Sequence, residues 1–373
     1  MARALSILLG VAIVLTLSIT TFAVPYSGGS GNAADPYQIS TVTDWQKLIV
    51  ASADWNKQFI LTADLDFAGA ALTPVGNSTT GFTGVLDGAG HTLSHFVIHQ
   101  PGADYVGLFG YVKGGEVKNL DMVNADIRGD SSVGGLVGEN CGMMTSCHAN
   151  GTVSGDNGVG GLVGNNCGGT ITSCYANGAV IGFDYYVGGL VGFNNGGTIS
   201  SCYATGNIHG TGKDVGGLVG YNGGTISSCY ASGAVRGIDH VGGLCGHFSF
   251  GTTSDCFWDI QTSGQTTSTG GTGKTTAEMK TLATFTDAGW DFTHMWIMPC
   301  EDYPHLRWEK GYSGGSGMAA DWGCPDGVGT EDLLYLAARW LADTPAVIGA
   351  ADLNGDGRVD LADFALFAQQ WMK

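Results

Sequence analysis

The sequence predicts an all-β right-handed parallel β-helix (a solenoid) with a capping helix, followed by a small α-helical calcium-binding domain. Three observations carry this. V-G-G-L-V-G starts at Val133, Val159, Val187 and Val215, and V-G-G-L-C-G starts at Val241, a near-constant period. A cysteine column runs in phase with it through Cys147, Cys174, Cys202, Cys229 and Cys256. Near the C-terminus, Asp352 to Asp363 sets acids and glycines at the spacing of a calcium loop.

One repeat unit reads as short strands punctuated by Gly and Asn turns: Gly189 to Gly192, then Asn194-Asn195-Gly196-Gly197, then Thr198 to Ala204. Strands this short bury no face alone, but stacking coil on coil at ~4.8 Å pairs every backbone group and builds a continuous core. A weaker copy begins at Val106-Gly107-Leu108-Phe109-Gly110, with Leu120 at the cysteine position. Phe59-Ile60-Leu61 and Thr83 to Leu93 read as earlier, less regular coils, and Thr43 to Val50 as a short helix over the open end, with Trp45, Leu48 and Ile49 on its apolar face. From Phe59 to Phe257 this gives about seven coils and a rod of ~35 Å. The Gly135-Leu136-Val137-Gly138 core and its successors resemble the GLUG repeat family over Tyr105 to Trp258. Members occur in bacterial surface and secreted proteins, some of them peptidases with accessory repeats. The resemblance therefore implies a scaffold and no particular chemistry.

The first residues have the grammar of a cleaved secretory signal: Arg3, an apolar run from Leu5 to Ile19, and small residues around Ala23. That run falls short of the ~20 residues that span a bilayer, so no membrane span is expected after cleavage, and the chain is expected in the medium or on a cell surface. The formal charge of −18, with only 15 Lys and Arg, leaves no basic stripe for nucleic acid.

In the C-terminal loop, Asp352, Asn354 and Asp356 stand at positions 1, 3 and 5, Gly357 at the sharp turn, the Arg358 carbonyl at 7, Asp360 at 9 and Asp363 at 12. Hard oxygens at these positions suit Ca²⁺. The helix after it carries Phe364, Phe367, Ala368 and Trp371 on one face, and the same face appears earlier in the chain as Leu333, Leu336, Ala337 and Trp340. Two loop-helix units of this kind resemble a dockerin, which implies docking onto a cohesin-like partner. The first loop, Asp321 to Asp332, departs by placing Gly323 and Pro325 at ligand positions, and the second carries Leu361 and Ala362 where many dockerins contact cohesin. The domain plan is then a signal over 1–23, a cap region over 24–58, the β-helix over 59–258, a closing segment over 259–310, a linker over 311–317 and the dockerin-like domain over 318–373.

Two further columns stand on the solenoid. Acids precede most V-G-G-L motifs: Asp104, Asp130, Asp156, Asp184, Asp214 and Asp239. They read either as exposed turn residues or as a cation-binding edge. The residue after each ladder cysteine is His148, Tyr175, Tyr203, Tyr230 or Phe257. With cysteine inward these rings face outward, as an exposed strip for glycan or protein or as stacking that stabilises the sheet. The ladder cysteines read as buried free thiols, with Cys141 to Cys167 and Cys300 to Cys324 as candidate bridges.

The sequence contains no H-E-x-x-H, G-x-S-x-G or zinc-type Cys/His spacing. It therefore points to a non-catalytic exported scaffold or adhesion protein. The alternative is an extracellular polysaccharide lyase or glycoside hydrolase of the β-helix type. Its least poor acid-base candidates are Asp64, Asp66, Asp87 and His91, and it is weakened because Lys213 and Arg236 are the only Lys or Arg residues between Val133 and Phe257.

Overall fold

The computed structural model describes residues 26–299, 302–310, 336, 340 and 351–370. The expected signal over 1–23, the linker over 311–317, the first calcium-type loop, the Cys300 to Cys324 pair and Trp371 lie outside them. The chain forms a parallel β-solenoid of about seven turns with few helices.

Register follows the repeat. Phe59, Leu86, Val117, Met144, Ile171, Ile199 and Ile226 stand one above another on paired strands, all buried. Leu136, Leu162, Leu190, Leu218 and Leu244 form a second fully buried set. At roughly 1.5–3 kcal/mol for burying each large aliphatic side chain, these columns supply the main drive for stacking.

The corners explain the small residues. The residue before each ladder position adopts a left-handed backbone: Asn119, Ser146, Ser173, Ser201, Ser228 and Asp255 all have φ between 51° and 53°. A short side chain limits the cost of that conformation. In V-G-G-L the chain folds so tightly that a Cβ on Gly188 would lie 2.0 Å from the Val191 carbonyl oxygen, and one on Gly189 would lie 2.2 Å from that of Gly217 in the next coil. Glycine is required there by space rather than by φ.

Inside the solenoid runs a ladder built from asparagines at the glycine-containing turns. Asn140, Asn166, Asn194 and Asn222 are fully buried. The first three each pass an amide hydrogen bond to the next, at 2.9, 2.9 and 2.8 Å. Buried amides are tolerated because the donors and acceptors are paired along the stack.

At the N-terminal end the helix Val42–Val50 buries Trp45 and Leu48 against the first coils, with Trp45 meeting Phe67 and Phe109 edge-on. Its cap is Thr41, in a capping box with Asp44.

The segment after Trp258, expected as a closing segment, first extends the sheet and then folds back. Thr272–Lys274 adds one more parallel rung on Phe257–Asp259. The chain then turns back through the short helices Thr276–Met279 and Leu282–Thr286. It runs along the flank of the solenoid: Trp290 Nε1 donates to the Asp255 carbonyl, Trp308 Nε1 to that of Ser173, and Lys310 Nζ sits 3.1 Å from Asp121. Residues 276–299 and 302–310 form a strap across successive coils. No helix among the described residues is long and apolar enough to cross a membrane.

Candidate functional site

The outward aromatic column forms as a stack. Ring centroids lie 4.1 Å apart from His148 to Tyr175, 4.8 Å from Tyr175 to Tyr203 and 4.9 Å from Tyr203 to Tyr230. Its exposure does not follow the expectation. Tyr203, Tyr230 and Phe257 are buried and Tyr175 is half-buried, because the strap lays Met279, Phe285, Trp290, Trp296 and Leu306 against them, and His148 is buried as well. Alternation along a strand sets the direction in which a ring points; it does not say what covers the ring. The tyrosine hydroxyls are used internally: Tyr203 Oη donates to Glu309 Oε2 and Tyr230 Oη to the Pro304 carbonyl, each at 2.8 Å. Burial pushes the Tyr203 hydroxyl pKa well up. The strip is the strap's seat and not an open binding face.

The aromatic surface that stays accessible lies on another flank. Tyr111, Glu139, Asn165, Phe193, Tyr221 and His247 form one outward column. In its later coils Tyr186, Phe193 and Tyr221 cluster with centroids 5.1 to 5.2 Å apart, all half-buried. The signal was available in the sequence as the residue just after each V-G of the second strand, but the types vary and hide the column.

The acids before V-G-G-L do not make one column. Asp130, Asp156 and Asp184 do stack, linked by backbone hydrogen bonds of 2.8 and 3.0 Å, with Asp104 beside them. Asp239 instead stands in register with Lys213, and Asp214 with Tyr186 and His240. Unequal coil lengths shift them. Asp214 is buried and its Oδ1 lies 2.7 Å from His240 Nδ1 and 3.8 Å from His247 Nδ1.

Of the acid-base candidates, Asp64 meets His91 at 3.1 Å and also accepts the Thr92 N–H. That backbone hydrogen bond is the main reason its carboxyl sits below the usual range. Asp66 pairs with His95 at 3.1 Å. Asp87 accepts the Asn119 side-chain amide and the Ala89 N–H.

Cys147, Cys174, Cys202, Cys229 and Cys256 are buried free thiols. Cys141 and Cys167, a candidate bridge by sequence, are free and half-buried in neighbouring coils, beside Glu139. Burial pushes the Cys141 thiol up to about 12.

In the C-terminal loop, Asp352 accepts the N–H groups of Gly355, Asp356 and Gly357, and Asp363 those of Leu353, Asn354 and Asp360. Asp356 accepts from Arg358. Gly357, with φ of 87°, supplies the bend. Asp363 sits in the first turn of the helix Leu361–Gln370, fully buried. Asp352, Asn354, Asp356 and Asp360 remain open to solvent or partly so. The donor set is oxygen-only and suits a hard cation. Trp340 meets Phe364 edge-on at 6.4 Å.

Comparison with known proteins matches the GLUG motif at residues 184–208 and 211–236. Halomucin of Haloquadratum walsbyi is 37% identical over 137 residues, 33% of this chain and 2% of its own length. A protein of Evansella cellulosilytica described as a candidate Gly-rich membrane protein is 30% identical over 128 residues, 32% of this chain and 15% of its own. The chain thus spans only a small part of these curated relatives. A crystal structure of a Bacteroides ovatus protein, described as a candidate immunoglobulin A1 protease, matches with a TM-score of 0.59 at 22% identity, covering 77% of this chain and 96% of that one. At that identity the likeness is one of fold. The chain carries GLUG motifs on a β-helix.

Proposed function

We propose that the chain is an exported, non-catalytic scaffold or adhesion protein whose solenoid presents a glycan- or protein-binding surface. A calcium-loaded, dockerin-like module over 318–373 attaches it to a cohesin-like protein or another cell-surface component. The observation that carries the reading is the half-exposed cluster of Tyr186, Phe193 and Tyr221 on a rigid ladder. Flat apolar faces held at fixed spacing suit sugar rings or an apolar partner. The names of the halomucin and membrane-protein relatives favour a cell-surface or extracellular setting. The backbone N–H groups gathered on Asp352 and Asp363 favour calcium at Asp352, Asn354, Asp356, Arg358, Asp360 and Asp363.

The test is a glycan-array screen of the secreted chain with and without calcium, repeated for Phe193→Ala and Tyr221→Ala. Binding that these substitutions remove supports the surface. Binding that survives both places it elsewhere. The Asp64–His91 pair favours the rival reading, an extracellular polysaccharide lyase or glycoside hydrolase. Release of reducing ends from a bound glycan, abolished by Asp64→Asn, would replace the scaffold reading with that one.

A further inference from the structure

We propose that Asp214, His240 and His247 form a binding site for one borderline divalent cation of the Zn²⁺ class. The site arises where two columns of the repeat change residue type together. The corner position before V-G-G-L holds Tyr105, Ser132, Gly158 and Tyr186 in the earlier coils, then Asp214 and His240. The outward column holds Tyr111, Glu139, Asn165, Phe193 and Tyr221, then His247. In the coil just before, the two columns meet as aromatic packing, with Tyr186 edge-on to Tyr221 at 5.2 Å. One coil further on, the same diagonal brings Asp214 to His247.

The geometry suits a small ion. Asp214 Oδ1 lies 2.7 Å from His240 Nδ1 and 3.8 Å from His247 Nδ1, and one ligand atom from each residue falls within 4.8 Å of the others. Bonds of roughly 2.0–2.1 Å in a tetrahedron set ligand atoms about 3.4 Å apart, between those two distances. Asp214 and His240 both have left-handed backbones, φ 60° and 49°, on stacked corners, so the ladder itself fixes their side chains toward each other. The Asp214 side chain is only 11% exposed, while His240 and His247 open the site to solvent. Two imidazole nitrogens and one carboxylate select Zn²⁺, Ni²⁺ or Cu²⁺ over Ca²⁺ and Mg²⁺, which prefer oxygen. His247 is held by stacking on Tyr221 at 5.2 Å. Asp239 Oδ1 stands 3.8 Å from His240 Nε2, at the far edge of the ring.

The experiment is calorimetric titration of ZnCl₂ into the tag-free full chain, stripped of metal and carrying Cys141→Ser and Cys167→Ser to remove the other thiol-bearing cluster. Calcium is kept in large excess to occupy the oxygen-rich loop. One Zn²⁺ per chain is expected. His247→Ala, at a solvent-facing ring, and Asp214→Asn, which keeps a residue tolerant of positive φ, each weaken it by more than the about 10–100-fold that follows loss of a partner behind a ligand. No uptake by the parent chain, or uptake that both substitutions leave intact, overturns the site.

Discussion

Asn166 donates its side-chain amide to Asn194 Oδ1 at 2.9 Å, with both side chains wholly inside the solenoid. Asn194 passes its own amide to Asn222 at 2.8 Å and to the Gly197 carbonyl at 3.2 Å. Each residue therefore satisfies one neighbour and depends on the other. Asn194→Ala removes the acceptor for Asn166 and the donor for Asn222 at one stroke, in a place water does not reach. A loss of about 2–4 kcal/mol is expected, more than a single exposed hydrogen bond contributes. Urea denaturation of the purified variant measures it, and a loss below about 0.5 kcal/mol would mean that the ladder is not cooperative.

The strap is held by a buried charge as well as by its tryptophans. Glu309 is buried and takes the Tyr203 hydroxyl at 2.8 Å and the His305 ring at 3.0 Å. Tyr203→Phe keeps the ring stack and deletes one donor to that carboxylate. Hydrogen bonds to charged groups contribute about 1.5–3 kcal/mol, and the loss falls on the strap rather than on the coils. Faster hydrogen exchange across 276–310 with unchanged exchange in the core coils is expected. Uniform acceleration over the whole chain would instead make the strap part of one cooperative unit.

The solenoid is readable because each coil repeats residue types in the same places, so Val133, Leu136 and Cys147 announce their successors. The same period marks Asn140, Asn166, Asn194 and Asn222. Those were hidden because asparagine within one or two residues of glycine is ordinarily a turn residue and not a core one. The burial of Tyr203 and Tyr230 was hidden for another reason. The strap that covers them has no period, and its docking rests on contacts distant in sequence, such as Tyr230 to Pro304. The Asp214 cluster was obscured by coils of unequal length, which move an acid along the strand and into another column.

The N-terminal cap carries an acid-sensitive joint. Burial pushes the Asp44 carboxyl up, but hydrogen bonds from Ser27 and Thr41 hydroxyls, the Ser40 N–H and the charge of Lys47 outweigh it and leave the pKa below the usual aspartate value. A carboxyl lowered in the folded state stabilises the fold above its unfolded pKa. That contribution disappears as pH falls through the folded value, below about 4. Asp44→Ala is expected to lower stability by about 1–2 kcal/mol at neutral pH, through loss of the capping box and the Ser27 tie. The gap from the parent protein should narrow progressively as the pH falls below about 4. Thermal melts at several pH values check it, and a gap that widens in acid would contradict the sign.

The C-terminal loop allows a cleaner separation of folding from binding than most acidic loops. Asp352 and Asp363 each hold three backbone N–H groups, so replacing either disturbs the loop with or without an ion. Among the described residues, Asp356 accepts the Arg358 N–H through Oδ1 and a side-chain hydrogen bond from Asn354 through Oδ2, and it is exposed. Asp356→Ala should therefore leave the ion-free module close to its parent stability while removing one of the proposed ligands. Binding at a hundred times the dissociation constant would add about 2.7 kcal/mol to the parent module. Calorimetric melts in calcium and in chelator are expected to show that shift in the parent chain and a much smaller one in Asp356→Ala. Equal melts in calcium and chelator for the parent chain would remove calcium from the proposed module.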